Sequence, residues 1–245
     1  MNRLKNLIWR YYFLSFISDF MLFSAVLVPF FTTWAGISLF QMQLLQSWFM
    51  LWIFILEVPT GAVADKVGRK YSLALGSFVL VFGTLLYGMT KSYSVFLIAE
   101  FLFAVGVSLH SGADEALLYD ALKEDNKEEE ATKIIGRAHS IRLFGMLIAA
   151  PLGGLVVGLF GYAASMLFSA IPQLVGVFIA LSMREPKLHT GPSESKRYIQ
   201  VVQDGLHYLL HHDKLKMLTV DTLLVSSATY FVIWYYQPIL SRLGI

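Results

Sequence analysis

Two apolar runs, Met42 to Ala64 and Tyr71 to Met89, are separated only by Asp65-Lys66-Val67-Gly68-Arg69-Lys70. Each is about 20 residues long, enough to cross a hydrocarbon core of ~30 Å as a helix rising ~1.5 Å per residue. The short charged connection leaves room for nothing but a tight turn, so the two runs read as neighbouring membrane helices. Lys66, Arg69 and Lys70 hold such a turn on the cytoplasmic side, while Gly61 and Gly68 allow close packing or a sharp reversal.

The composition fits this setting. With 56% hydrophobic residues, 15% charged residues and a mean hydropathy of +0.61, the chain has too few polar groups to coat a soluble globule of 245 residues. It contains no cysteine, hence no disulfide framework, and a net charge of +2 is too small and dispersed to suggest nucleic acid binding. Arg3, Lys5 and Arg10 precede an apolar run, as in a secretory signal. That run, Tyr11 to Trp34, is too long for a signal core and ends in no small-x-small pattern, so it reads as an uncleaved first span.

The expected fold class is an all-α integral membrane protein with seven spans: Tyr11 to Trp34, Met42 to Ala64, Tyr71 to Met89, Val95 to Leu118, Ile141 to Phe160, Ala163 to Met183 and Leu218 to Leu240. On this threading, of the 19 Lys and Arg residues only Lys91 and Arg242 fall opposite the side that carries all the others. The N-terminus is therefore expected in the cytoplasm. The chain divides into a six-helix bundle over 1–183, a cytoplasmic linker over 184–217 and the first helix of an incomplete second bundle over 218–245. Within the linker, Ile199, Val202, Leu206, Leu209 and Leu210 fall near one helical face, which suits an interfacial helix or an extension of the seventh span. The acidic and basic residues from Lys123 to Lys133 read as a solvated loop.

The pattern G-x-x-x-D-[RK]-x-G-[RK]-[RK], carried by Gly61, Asp65, Lys66, Gly68, Arg69 and Lys70, resembles the signature loop of the major facilitator superfamily. In that family two six-helix bundles, each made of inverted three-helix repeats, rock about a site near the membrane midplane. The resemblance implies one such half plus the first helix of the other, and a latch in which Arg69 pairs with a carboxylate such as Asp120. Asp120 is equally readable as the start of the charged loop. Gly145, Ala149, Pro151, Gly153, Gly154, Gly158 and Gly161 form a small-residue face suited to helix packing and bending. It resembles the antiporter motif of drug-exporting members, with Ala150 where a glycine is usual and one residue fewer between Pro151 and the glycine pair. Glu100 falls where drug:proton antiporters place an arginine.

Ionisable groups inside the bilayer cost at least ~2.5 kcal/mol unless they face a partner or a cavity, which makes them functional candidates. Asp19 is the sole charge of the first span. Glu57 lies about 12 Å into the second, where Pro59 and Gly61 weaken the helix; it suits proton or substrate binding, or an ion pair with Arg142 or another helix. In the fourth span His110 and Asp114 are four apart, hence on one helix face, as in a proton relay. Asp114 and Glu115 alternatively pack on Arg142 as a clamp, and Arg142, opening the fifth span, is either a counter-ion or a snorkelling side chain. Trp48 and Trp52 share a face and could stack on a solute.

These features together suggest secondary transport of a small organic solute through the plasma membrane, coupled to protons through some of Glu57, Asp114 and Asp19, with export favoured over uptake. The proton gradient would then serve as coupling agent, with no bound cofactor or metal. The alternative is a truncated or split half-transporter that needs a second half or a homo-oligomer, and a seven-helix receptor fits poorly with an internal N-terminus. No Ser/His/Asp constellation, phosphate loop or metal-ligand cluster points to an enzyme.

Overall fold

The computed structural model describes residues 2–186 and 207–242, which belong to two compact units, 1–190 and 191–245. The first unit contains α1 (Asn2–Ser18), an irregular helical stretch (Ser24–Trp34), α2 (Leu39–Val67), α3 (Arg69–Met89), α4 (Tyr93–His110), α5 (Ala113–Glu124), α6 (Ala131–Phe160) and α7 (Tyr162–Ser182). The second contains α8 (Asp213–Arg242). The expected linker helix over Ile199 to Leu206 lies outside the described residues.

Among the described residues five helical segments are long and apolar enough to cross a membrane: Leu39–Val67, Arg69–Met89, Tyr93–Glu124, Glu128–Phe160 and Tyr162–Ser182. The all-α membrane fold is thus directly visible. α2 starts where Ser38 and Gln41 close a capping box: the Ser38 hydroxyl accepts from Gln41 N at 3.2 Å and Ser38 N donates to Gln41 Oε1 at 2.9 Å. The reversal between α2 and α3 falls at Gly68, with φ +115°. Gly61 instead lies inside α2 with no side chain near it.

α3 is the central helix of the first unit, packed on α7 and α4, while α4 also packs on α2 and α1 packs on α6 and α7. Small buried residues such as Ala74, Gly76, Gly83 and Gly88 line α3, as expected where lipid supplies no hydrophobic drive and helices associate by close contact. At one end, Leu4, Leu7 and Tyr11 of α1 join Leu117, Leu118 and Leu122 of α5 in a shared apolar cluster. There the Arg10 guanidinium also donates to the Ser182 carbonyl at the end of α7.

Two expected spans are not continuous helices. The first, Tyr11 to Trp34, stops at Ser18 and resumes at Ser24, running through a 3-10 turn and a wider turn over Phe30–Trp34. The physical reason is a set of substitute hydrogen bonds from α7. Ser169 Oγ accepts from Leu22 N at 2.9 Å, and Gln173 Nε2 donates to Ser18 O at 3.2 Å, so backbone groups freed by the break remain paired. The fourth span, Val95 to Leu118, stops at His110 and restarts at Ala113 because Gly112 takes a left-handed conformation at φ +69°, which glycine adopts without steric cost. Conversely, α6 passes through Pro151 unbroken and starts at Ala131, well before the expected Ile141.

Candidate functional site

Arg142 sits about three turns into α6, so it does not open its helix as the sequence suggested. Its Nη2 donates to Asp114 Oδ2 at 3.0 Å, in the first turn of α5, just past the break in the fourth span. Its Nε lies 3.8 Å from Asp19 Oδ2, at the break in the first span, and is buried with no hydrogen bond. One guanidinium thus stands between carboxylates placed at both helix interruptions. The side chains keep 29%, 16% and 40% exposure for Arg142, Asp114 and Asp19, enough for solvent or a solute to reach them.

The surrounding groups form a polar rim. Glu115 pairs with His139 Nε2 at 3.3 Å, and Asp114 Oδ1 accepts from Glu115 N at 2.8 Å within the first turn of α5. Ser111 Oγ donates to Glu57 Oε1 at 2.8 Å, which ties the exposed middle of α2 to the second interruption. The expected ion pair between Glu57 and Arg142 is absent among the described residues; Ser111 is the partner instead. His110 and Asp114 do not share a helix face, because the chain turns at Ser111 and Gly112 between them. His110 Nε2 lies 3.0 Å from Ser77 Oγ of α3.

At the Gly68 end, Arg69 Nη1 lies 2.7 Å from Asp120 Oδ2. Sequence reasoning missed Glu185, whose carboxylate accepts from Arg69 N at 2.7 Å and from Lys70 N at 2.9 Å. It caps the first turn of α3, where unpaired N–H groups and the helix dipole favour an anion. Its neighbour Arg184 pairs with Glu124 Oε2 at 2.6 Å, so the end of α7 is tied to both α3 and α5. Asp65 and Lys66 are exposed, and Lys70 Nζ lies 4.8 Å from the centre of the Tyr71 ring.

The small-residue face of α6 divides in two. A side chain at Gly145 would meet the Phe16 carbonyl, and one at Gly153 would overlap the Leu22 carbonyl, so α6 and the first span pack backbone to backbone. Gly154 and Gly158 face open space, and Pro151 is exposed. Trp48 and Trp52 meet edge to face at 5.4 Å, Trp52 meets Phe101 at 4.7 Å, and the Trp48 indole donates to Leu97 O at 3.0 Å. Trp48 and Trp52 thus join α2 to α4. Among the described residues no grouping of His, Asp and Glu is suited to hold a metal ion.

Chemically, this arrangement offers a charge cluster that can be rebalanced by a proton or a charged solute, placed where two helices lack continuous hydrogen bonding. Discontinuous helices at corresponding positions of two repeats are a structural marker of transporter binding sites.

Comparison with known proteins extends this picture. The chain is 22% identical over 193 residues to an uncharacterised transporter, YxaM of Bacillus subtilis (strain 168), a match covering 78% of this chain and 47% of that protein. It is 29% identical over 129 residues to the vesicular acetylcholine transporter of Drosophila melanogaster, covering 52% of this chain and 22% of that one. The chain thus spans about half the length, or less, of these relatives. Among solved structures, it superposes on tetrameric PepTSo2 with a TM-score of 0.65 at 17% identity, covering 93% of this chain and 54% of that one. A D-xylose–proton symporter gives 0.63 at 16% identity, covering 99% and 62%. The family model of the Major Facilitator Superfamily matches residues 8–245. The chain therefore belongs to the major facilitator superfamily.

Proposed function

We propose that the chain forms part of a secondary active transporter that moves a small organic solute by alternating access. The observation that carries this reading is Arg142 held between Asp114, at 3.0 Å, and Asp19, at 3.8 Å, across two interrupted helices. Releasing either carboxylate, by protonation or by an incoming charged group, leaves the guanidinium to the other. The hydrogen bonding around each interruption can then shift without unfolding a helix. Proton coupling would run through Asp19, Asp114 and Glu57, the last through its bond to Ser111.

Export is favoured over uptake on the likeness of the α6 glycine face to an antiporter motif and its backbone contacts with the first span. The distribution of basic residues supports an N-terminus in the cytoplasm, and the likeness to a bacterial member of the family supports residence in the plasma membrane. The Arg69–Asp120 pair and the Glu185 cap, both at the Gly68 turn, suit a latch that closes the cytoplasmic side of the transporter.

The test is solute-induced proton flux in everted vesicles, followed with a pH-sensitive dye while small amines, sugars and peptides are added in turn. At least one solute class should drive flux, and Asp114→Asn and Glu57→Gln should each change its pH dependence. Flux that keeps its pH profile in both variants sinks the assignment of the coupling residues.

A further inference from the structure

The imidazole at the end of α4 forms no part of the Arg142 cluster, yet the fold builds a seat for it. His110 is the last residue of α4, and its Nε2 lies 3.0 Å from Ser77 Oγ of α3. A side chain at Gly76 would stand 2.5 Å from His110 Cδ2 and 2.8 Å from the Gly106 carbonyl. The glycine therefore opens the slot that the ring fills, and it lets α3 and α4 cross backbone to backbone. Gly106 repeats the arrangement from the other side, where a side chain would meet Leu80 Cγ at 2.6 Å and the Gly76 carbonyl at 3.0 Å. Behind the seat, a side chain at Gly176 of α7 would come within 3.1 Å of Ser77 Oγ, so this hydroxyl has α7 at its back. Nearby, Ser72 Oγ donates to Leu109 O at 2.7 Å. Ser72 and Ser77 are each 1% exposed, so water does not compete for either bond.

Past the turn at Ser111 and Gly112 the restraints change in kind. α5 is tied by Asp114 to Arg142 at 3.0 Å, by Glu115 to His139 at 3.3 Å, by Asp120 to Arg69 at 2.7 Å and by Glu124 to Arg184 at 2.6 Å. These are ion pairs between partly exposed side chains, individually weak and able to exchange partners as protons or charged groups arrive. α5 is held also by apolar contact, Leu117, Leu118 and Leu122 in one cluster with Leu4 and Leu7 of α1, which is non-directional and tolerates sliding. The end of α4 is held instead by directional bonds out of water and by close backbone contact, which tolerate little displacement.

We propose that His110 is a positioning residue for transport: docked in the slot at Gly76 and Ser77, it makes α4 the fixed arm of the hinge at Gly112 and α5, which carries Asp114, the moving arm. It acts through Asp114 and touches no solute. Release of Asp114 from Arg142 then displaces α5 alone, and the motion is delivered to the Arg69 and Arg184 pairs instead of being dissipated along α4. This role rests on the transport reading of the Arg142 cluster, but the helix motion can be followed without a solute.

The chain has no cysteine, so pairs of spin labels can be placed without background. In the full chain in lipid nanodiscs, one pair joins Leu75 of α3 to Ile98 of α4 and a second joins Leu75 to Tyr119 of α5, all exposed positions. Pulsed electron resonance reads each distance. Asp114→Asn should shift the α3–α5 distance and leave the α3–α4 distance unchanged. Adding Ser77→Ala, which removes only the hydroxyl, should make the α3–α4 distance shift as well. His110→Phe keeps a ring in the slot without its nitrogens; it should do the same, and it decides the matter if Ser77→Ala fails to fold. Leu73→Ala is the control for a merely structural role: it weakens the buried apolar cluster and should lower the unfolding temperature without moving α4. A shift of α4 with Asp114→Asn alone, no shift of α5, an unmoved α4 in the seat variants, or a moved α4 in the Leu73→Ala control each overturns the proposal. Because no solute enters, this pattern and the flux assay fail independently.

Discussion

The two interrupted spans reach the same end by different means. At the first, between Ser18 and Ser24, the freed backbone is satisfied from outside, by Ser169 and Gln173 of α7. At the second, the chain satisfies itself: Gly112 turns left-handed, Ser111 N donates to Val107 O at 2.9 Å, and Ala116 N donates to Gly112 O at 3.1 Å. The first break can therefore change only if α7 moves or releases it, whereas the second is a local hinge. Both place a carboxylate against Arg142. A shared guanidinium between one externally held break and one self-contained break gives the two a means of responding together.

Arg142→Gln tests that sharing and carries the largest expected effect. It leaves Asp114 and Asp19 without their cation. The cost is about 2 kcal/mol of stability, below the ~3–5 kcal/mol of a fully buried pair because all three side chains retain some exposure. Thermal unfolding in nanodiscs reads it. In double-mutant cycles the coupling to Asp114 should reach ~1–2 kcal/mol and that to Asp19 should stay below ~1 kcal/mol, following the distances of 3.0 and 3.8 Å. Equal couplings would mean that the two breaks are held alike, and the contrast between them would fall.

Much of this was readable from the residues, for reasons that differ from place to place. Apolar runs of spanning length name their helices almost regardless of tertiary context, so α2, α3 and α7 lie close to where the sequence put them. The second break had a local signal in Ser111 and Gly112, amid polar residues in an apolar run. The first had none, since Asp19 to Phe23 contains neither glycine nor proline and depends on α7 residues 147 and 155 positions away. Glu185 escaped for the same reason: its partners are the amides of Arg69 and Lys70, 116 and 115 positions away. His110 was visible in the fourth span, but its seat comes from Gly76 and Ser77 of α3, the latter 33 positions away.

Gly112→Ala sharpens the contrast from the side of the self-contained break. An L side chain in the left-handed region costs ~1–2 kcal/mol, and nothing crowds the position, so the penalty is conformational. Gly112→Asn should cost less, because asparagine tolerates that region. The pair of variants separates backbone strain from steric overlap, and unfolding midpoints ordered glycine, asparagine, alanine are expected. A Gly112→Ala protein as stable as the parent would show that the turn does not need its present conformation.

The smallest effect belongs to Ser169→Ala, and it bears on the externally held break alone. Ser169 Oγ accepts from Leu22 N and itself donates to Ser165 O at 2.7 Å. Removing the hydroxyl orphans one buried amide, yet side-chain hydrogen bonds between membrane helices average only ~0.6 kcal/mol in measured cycles. Global unfolding would hardly register that, whereas amide hydrogen exchange at Leu22 should speed up about threefold, the factor equivalent to ~0.6 kcal/mol. Exchange at Ser111 should not change, because its amide bonds to Val107 O within its own turn. Faster exchange at both sites would mean that the breaks already move as one unit without Arg142 being touched, which places their coupling in the helix packing around them rather than in the shared guanidinium.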